Sequence, residues 1–157
     1  MPPKLKILFL CTGNSCRSQM AEGWARHLRG EVIEPFSAGI ETHGLNPNAV
    51  RVMAEAGVDI SGQRSRHVEE FRNIKFDYVI TMCDHAQENC PLLVHDAPVY
   101  HVGFSDPPRL AMEIAQKGAG LEEQLDCYRT VRDQIRDFVE GIPGNLAAIS
   151  AFRRSSS

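Results

Sequence analysis

A short loop near the N-terminus has the residue types of a nucleophilic oxyanion site. The loop runs from Cys11 to Ser18, after the apolar run Ile7-Leu8-Phe9-Leu10 and before a helical pattern. Successive backbone N–H groups that lead into a helix form a concave anion site, and the helix dipole strengthens it. Cys11 lies at the base of this site, where the same field lowers the pKa of a thiol. We therefore predict a cysteine nucleophile set against a bound tetrahedral anion.

The other loop residues fit that chemistry. Gly13 and Asn14 tolerate the left-handed backbone that such a concave anion site, hereafter the nest, requires. Arg17 can give two parallel N–H bonds to an oxyanion, and the Ser18 hydroxyl is in place to bond the Cys11 thiolate. A Walker-type phosphate loop is excluded, because the sequence has no Gly-Lys-Ser/Thr. The predicted oxyanion-binding residues are Thr12, Gly13, Asn14, Ser15, Cys16, Arg17 and Ser18.

Length and composition limit the partners of this site. The chain has 157 residues, 43% of them hydrophobic, so we expect one catalytic domain over 1–157 with a polar tail at about 153–157. A net charge of -3 argues against nucleic acid and anionic membranes. The first apolar run is too short for a signal peptide, and no run approaches a membrane span. We expect a cytoplasmic monomer with reduced thiols.

Alternating strand and helix patterns predict a parallel sheet covered on both faces. The predicted strands are 6–10, 32–38, 76–82 and 99–104, and the predicted helices begin near 15–18, at 47 after the N-cap Asn46, and at 121, the last running to 140. Ligands of such sheets bind at the carboxyl ends of the strands. Cys11, Cys83 and Asp106 each follow a predicted strand, so we expect them to meet at one edge of the sheet.

Two stretches resemble a known family. Cys11 to Arg17 has the Cys-x5-Arg spacing of the low-molecular-weight protein tyrosine phosphatases, which share a late Asp-Pro, here Asp106-Pro107. The segment from Cys11 to Glu22 is similar, residue for residue, to the thioredoxin-coupled arsenate reductases of that superfamily. The resemblance extends from Lys6 to about Val139. It implies an α/β fold, a three-layer sandwich with a four-stranded parallel sheet flanked by helices.

The resemblance also implies roles for further residues. Cys83 and Cys90 match the second and third cysteines of the reductases in spacing and position. The implied reaction begins with attack of Cys11 on arsenate held by the loop amides and Arg17, while Asp106 acts as general acid. The disulfide then passes from Cys11-Cys83 to Cys83-Cys90, where thioredoxin reduces it. Phosphate and sulfate are the expected competing oxyanions, and no bound cofactor is expected.

The implied relay requires movement. If residues 83 to 90 were helical, the two Cα atoms would lie about 10 Å apart, whereas a disulfide needs roughly 4.4 to 6.8 Å. We therefore predict that this segment is irregular or rearranges on oxidation. A zinc site made by Cys83 and Cys90 is disfavoured, since six residues separate them and no second pair accompanies them.

Alternatives stay open at this stage. A low-molecular-weight tyrosine phosphatase needs only Cys11, but its family carries aromatic residues after Asp-Pro, where Pro108 and Arg109 stand here. Some phosphatase activity is nevertheless expected from the same loop. A non-catalytic thiol sensor is a third hypothesis. For a reductase, glutaredoxin or mycothiol are alternative reductants. Cys16 is expected to be a spectator and Cys127 a core residue.

No metal site is predicted. Some family members bind potassium beside the loop through residues that resemble Asn14, Glu22 and Ser37 together with an aspartate. Arg66 stands at the place of that aspartate.

Overall fold

The computed structural model describes residues 3–83 and 97–149 and the backbone of residues 151–152. Its strands are β1 (Leu5–Cys11), β2 (Ile33–Gly39), β3 (Tyr78–Thr81), β4 (Val99–His101) and β5 (Ala151–Phe152). Its α-helices are α1 (Arg17–Arg29), α2 (Pro47–Glu55), α3 (Pro107–Gln116) and α4 (Leu121–Glu140). Two short 3-10 helices cover Val68–Phe71 and Gly144–Ala148.

The strands form a single sheet in the order β2-β1-β3-β4-β5. β1 pairs in parallel with β2 on one side and β3 on the other, and β3 pairs in parallel with β4. The predicted four-stranded parallel sheet is therefore confirmed. β5 adds a fifth strand antiparallel to β4 that the sequence did not predict, because two residues are too few to show an alternating pattern.

The central strand β1 is buried on both faces. Ile7 and Phe9 point to one face and pack with residues of α1, α2 and α4, such as Met20 and Leu125. Leu8 and Leu10 point to the other face, as alternation along a strand requires. There, three phenylalanine rings pack edge to face with centroids 5.3 to 6.2 Å apart, and these are Phe36, Phe71 and Phe76.

Three predicted helices are present. α4 has the predicted bounds, and its apolar stripe is buried. Asn46 caps α2 as expected, with Pro47 as the first helical residue.

α3 was missed, because Asp106-Pro107-Pro108 was interpreted only as a turn after a strand. Proline is well tolerated in the first turn of a helix, where its missing N–H has no intrahelical partner. Here Pro107 and Pro108 begin α3, which packs on α4. Among the described residues, the helices are too short or too polar to cross a lipid bilayer.

Candidate active site

The loop between β1 and α1 has the backbone of an anion nest. Asn14 has φ of 48°, the left-handed conformation predicted for this position. Its buried side chain donates from Nδ2 to Ser18 Oγ at 2.9 Å and accepts at Oδ1 from the backbone N of Arg66 at 2.7 Å. These bonds fix the unusual backbone conformation from both sides, since one partner lies in α1 and the other lies far along the chain.

The carbonyl groups of the loop are held from the outside by residues 41–46. The backbone N–H groups of Glu41, His43 and Asn46 donate to the carbonyl oxygens of Thr12, Gly13 and Ser15, at 2.9 to 3.0 Å. A peptide's N–H points opposite to its C=O, so these bonds turn the loop amides toward the inside of the curve. In residues 3–83 and 97–149, no acceptor takes the N–H groups of residues 13 to 16. This row of donors can hold a tetrahedral anion.

His43 was not identified from the sequence. Its ring packs against Gly13 so closely that a Cβ at this glycine would overlap the imidazole. Nε2 of His43 lies 2.6 Å from Glu41 Oε2. Gly13 therefore permits the close approach of this ring, whereas its own φ is not among the positive φ angles of the described residues. No local pattern signals this contact, because it joins two segments that are distant in sequence.

Cys11 and Cys83 lie together at the base of the nest. Both are buried, Cys83 Sγ is 3.0 Å from Thr12 Oγ1, and the two thiols share a hydrogen bond. That bond and burial raise the pKa of the Cys11 thiol, although Arg17 and the Thr12 amide act to lower it. The sequence predicted a lowered pKa at Cys11. The prediction was wrong for this state, because it considered the loop alone and not the second thiol.

Arg17 and Asp106 face each other at the opposite side of the nest. Arg17 Nη1 donates to the carbonyl oxygen of Phe104 at 3.0 Å, and Nη2 lies 3.7 Å from Asp106 Oδ1. The Arg17 side chain is 13% exposed and that of Asp106 is 38% exposed. The predicted meeting of Cys11, Cys83 and Asp106 at one sheet edge thus agrees with the structure. Arg17 connects the loop to the segment that carries Asp106.

The remaining loop residues have supporting positions. Burial raises the pKa of the Cys16 thiol to about 12, so this cysteine is a neutral packing group at physiological pH, as expected of a spectator. Ser18 Oγ accepts the amide of Asn14, which leaves its own proton to donate. The predicted bond from Ser18 to Cys11 is not among the hydrogen bonds of the described residues.

Two predicted features lie outside the described residues. These are Cys90 and the segment from 84 to 90 that was predicted to rearrange. Cys127 lies on α4, half-buried beside the core, and burial raises the pKa of its thiol. This agrees with a structural role.

The residues that resemble a potassium site do not fit a cation. Glu22 Oε1 accepts from Ser37 Oγ at 2.6 Å, and Glu22 Oε2 pairs with Arg26 Nη2 at 2.6 Å. Asn14 Oδ1 already accepts two hydrogen bonds, from Arg66 and Gln19. The oxygens that a hard cation needs as ligands are therefore used by protein donors. Among the described residues, no cluster of three or more metal-ligating side chains occurs.

Comparison with known proteins places this geometry in a family. The family described as low molecular weight phosphotyrosine protein phosphatase matches residues 6–148. The arsenate reductase of Bacillus subtilis (strain 168) is 47% identical over 129 residues, which are 82% of this chain and 88% of that protein. The arsenate reductase of Oceanobacillus iheyensis is 43% identical over 134 residues, 85% of this chain and 91% of that protein.

A solved structure described as an arsenate reductase in the phosphate binding state has the same fold. It superimposes with a TM-score of 0.70 at 36% identity and covers 93% of this chain and 99% of its own. The predicted α/β architecture and the predicted family are both confirmed. The chain belongs to the low molecular weight phosphotyrosine protein phosphatase family and, within it, to the arsenate reductases.

Proposed function

We propose that the chain reduces arsenate to arsenite through Cys11, Cys83 and Cys90, with thioredoxin as the electron donor. The observation that carries the proposal is the second thiol at the base of the nest, where Cys83 is hydrogen-bonded to Cys11 and lies 3.0 Å from Thr12 Oγ1. A phosphatase needs one thiolate, because water completes its reaction. A reductase must also supply two electrons to arsenic, and an adjacent thiol can help to supply them by forming a disulfide.

In the first step the nest binds arsenate through the amides of residues 13 to 16 and through Arg17. The Cys11 sulfur forms a bond to arsenic, and one arsenate oxygen leaves. Asp106 protonates that oxygen, so it departs as water. The proton that the Cys11 thiol loses replaces the one that Asp106 gives to the leaving oxygen. The adduct therefore has the same charge as the bound arsenate.

In the second step the Cys83 sulfur attacks the Cys11 sulfur. The sulfur–arsenic bond breaks, its electron pair stays on arsenic, and arsenite leaves with the proton that the Cys83 thiol gives up. The two thiols are oxidised to the Cys11-Cys83 disulfide. Cys90 then attacks Cys83, which releases Cys11 as a thiol and transfers the disulfide to Cys83-Cys90. The thioredoxin dithiol reduces this last disulfide, as expected in a cytoplasm that keeps thiols reduced.

The decisive assay measures arsenate-dependent NADPH oxidation with thioredoxin and thioredoxin reductase. We expect steady turnover for the wild type and a single turnover for Cys90→Ser, because the variant cannot release the Cys11-Cys83 disulfide. Cys127→Ser is the matched control, since this thiol lies beside the core on α4. No turnover by the wild type would reject the reductase, and sustained turnover by Cys90→Ser would reject the three-cysteine relay.

A phosphatase activity is the second candidate, favoured by the nest and by the family. The nest cannot exclude a phosphate ester by charge. Asp106 is followed by Pro107, Pro108 and Arg109, so no aromatic side chain of that segment stacks on an aryl ester. We therefore expect hydrolysis of p-nitrophenyl phosphate to be much slower than arsenate reduction. The opposite order of the two rates would favour the phosphatase.

A further inference from the structure

Asp106 occupies the N-cap position of α3, yet its carboxylate does not cap the helix. Its backbone is extended, with φ of -91° and ψ of 102°, and its carbonyl oxygen accepts from the N–H of Leu110. An aspartate at this position ordinarily accepts a hydrogen bond from the second or third helical N–H. In the described part of the chain the Asp106 carboxylate accepts neither bond, and it lies 3.7 Å from Arg17 Nη2 instead.

The N-terminus of α2 provides an internal comparison. Asn46 is its N-cap and Pro47 its first residue, so the arrangement matches that of α3 up to this point. Asn46 Oδ1 accepts from the N–H of Asn48, the second helical residue, at 2.8 Å, and from that of Ala49 at 3.1 Å. Here the cap forms in full.

The difference between the two helices lies at the second helical residue. α2 has Asn48 there, and α3 has Pro108, which has no N–H. Only the N–H of Arg109, the third residue, remains for the Asp106 carboxylate. In the structure this single donor does not bind the carboxylate, which lies beside the guanidinium of Arg17 instead.

We infer that Pro108 is a positioning residue: by removing the second helical N–H, it keeps the Asp106 carboxylate out of the N-cap bond and beside the nest. The inference rests on the proposed function, in which Asp106 protonates the leaving oxygen. A carboxylate engaged by two backbone N–H groups points along the helix and holds a proton poorly. The same carboxylate left without a cap can turn to the nest and carry a proton to the departing oxygen.

The test is Pro108→Ala, which restores the missing donor. The rate of the first turnover is measured without thioredoxin, as the loss of thiols after mixing with arsenate. If the new bond has the usual strength of an N-cap hydrogen bond, the carboxylate is captured most of the time and the rate falls about fivefold. Phosphate inhibition measures the affinity of the nest and is expected to stay unchanged, because the loop amides are untouched.

A double-mutant cycle separates capture of Asp106 from a general disturbance of the site. Asp106→Asn has no acid to lose, so adding Pro108→Ala to it should leave its residual rate unchanged. Pro108→Asn is the second variant, because it recreates after the N-cap of α3 the Pro-Asn order that follows the N-cap of α2. Thermal unfolding of each variant shows whether it is folded.

The inference is overturned if Pro108→Ala and Pro108→Asn, both folded, keep the wild-type first-turnover rate. It is also overturned if Pro108→Ala lowers the rate equally in the Asp106→Asn background or weakens phosphate inhibition in parallel with the rate. Failure of the proposed function looks different, since the wild type itself would then lose no thiols on mixing with arsenate.

Discussion

Asn14→Ala tests whether this one side chain holds the nest in shape. The wild-type side chain is fully buried and accepts hydrogen bonds from the backbone of Arg66 at 2.7 Å and from Gln19 Nε2 at 3.1 Å, and it donates to Ser18 Oγ at 2.9 Å. The substitution removes these bonds and leaves the Arg66 N–H without its acceptor. It also places alanine at φ of 48°, a conformation that asparagine tolerates better.

The expected loss follows from these contacts. The orphaned Arg66 N–H costs about 1–3 kcal/mol, and the lost bond to Ser18 costs about 1 kcal/mol. Left-handed backbone at a residue with a Cβ adds about 1 kcal/mol. We therefore expect the free energy of unfolding to fall by about 3–5 kcal/mol, as measured by urea denaturation. The variant should also bind phosphate more weakly, because the loop amides lose their fixed orientation.

Asn14→Gly is the matched control. It loses the same three hydrogen bonds but relieves the backbone, so it should be more stable than Asn14→Ala by about 1 kcal/mol. This reverses the usual order, in which glycine is the less stable of the two residues. A glycine variant no more stable than the alanine variant would refute the backbone argument. A loss below about 1 kcal/mol in both variants would refute the hydrogen-bond argument.

Two further predictions concern the groups around Cys11. Cys83→Ala removes the hydrogen bond that most raises the pKa of Cys11, so a larger fraction of Cys11 is thiolate at neutral pH. The pH profile of Cys11 alkylation by iodoacetamide, with the modified residue located by mass spectrometry, should shift to lower pH. An unchanged pH profile would contradict the stated cause. In Arg17→Lys a single ammonium cannot contact both Phe104 O and Asp106 as the guanidinium does, so phosphate inhibition should weaken by at least about tenfold. Equal inhibition of the wild type and the variant would show that Arg17 does not hold the anion.

The parts of the site that are contiguous in sequence were predictable. The nest is made by successive residues between a buried strand and a helix, so its residue types determine its backbone, including the left-handed Asn14. α4 was predictable because its apolar stripe repeats over twenty residues. α3 was not, since Pro107 and Pro108 indicate a turn as readily as the first turn of a helix.

The contacts that shape the nest from outside were not predictable. His43 and Asn46 reach the loop from beyond β2, and Arg66 reaches it from farther along the chain. Neither periodicity nor turn chemistry encodes which distant backbone groups will meet. The location of the site at the carboxyl edge of the sheet was predictable, because ligands of parallel sheets bind there. The hydrogen-bond partner of each loop carbonyl, in contrast, depends on the tertiary structure.

The protonation of Cys11 is the most consequential of these long-range effects. The loop by itself stabilises negative charge, on a thiolate as well as on a bound anion. Two negative charges about 4 Å apart repel by about 4 kcal/mol at the effective dielectric of a protein surface. The hydrogen bond with Cys83 and burial raise the pKa of Cys11 and keep it neutral, so an arriving oxyanion meets no negative charge on the Cys11 sulfur. In the proposed mechanism, the second thiol therefore aids anion binding before it is oxidised to the disulfide, and the proton that it helps Cys11 to retain balances the one that leaves with the arsenate oxygen.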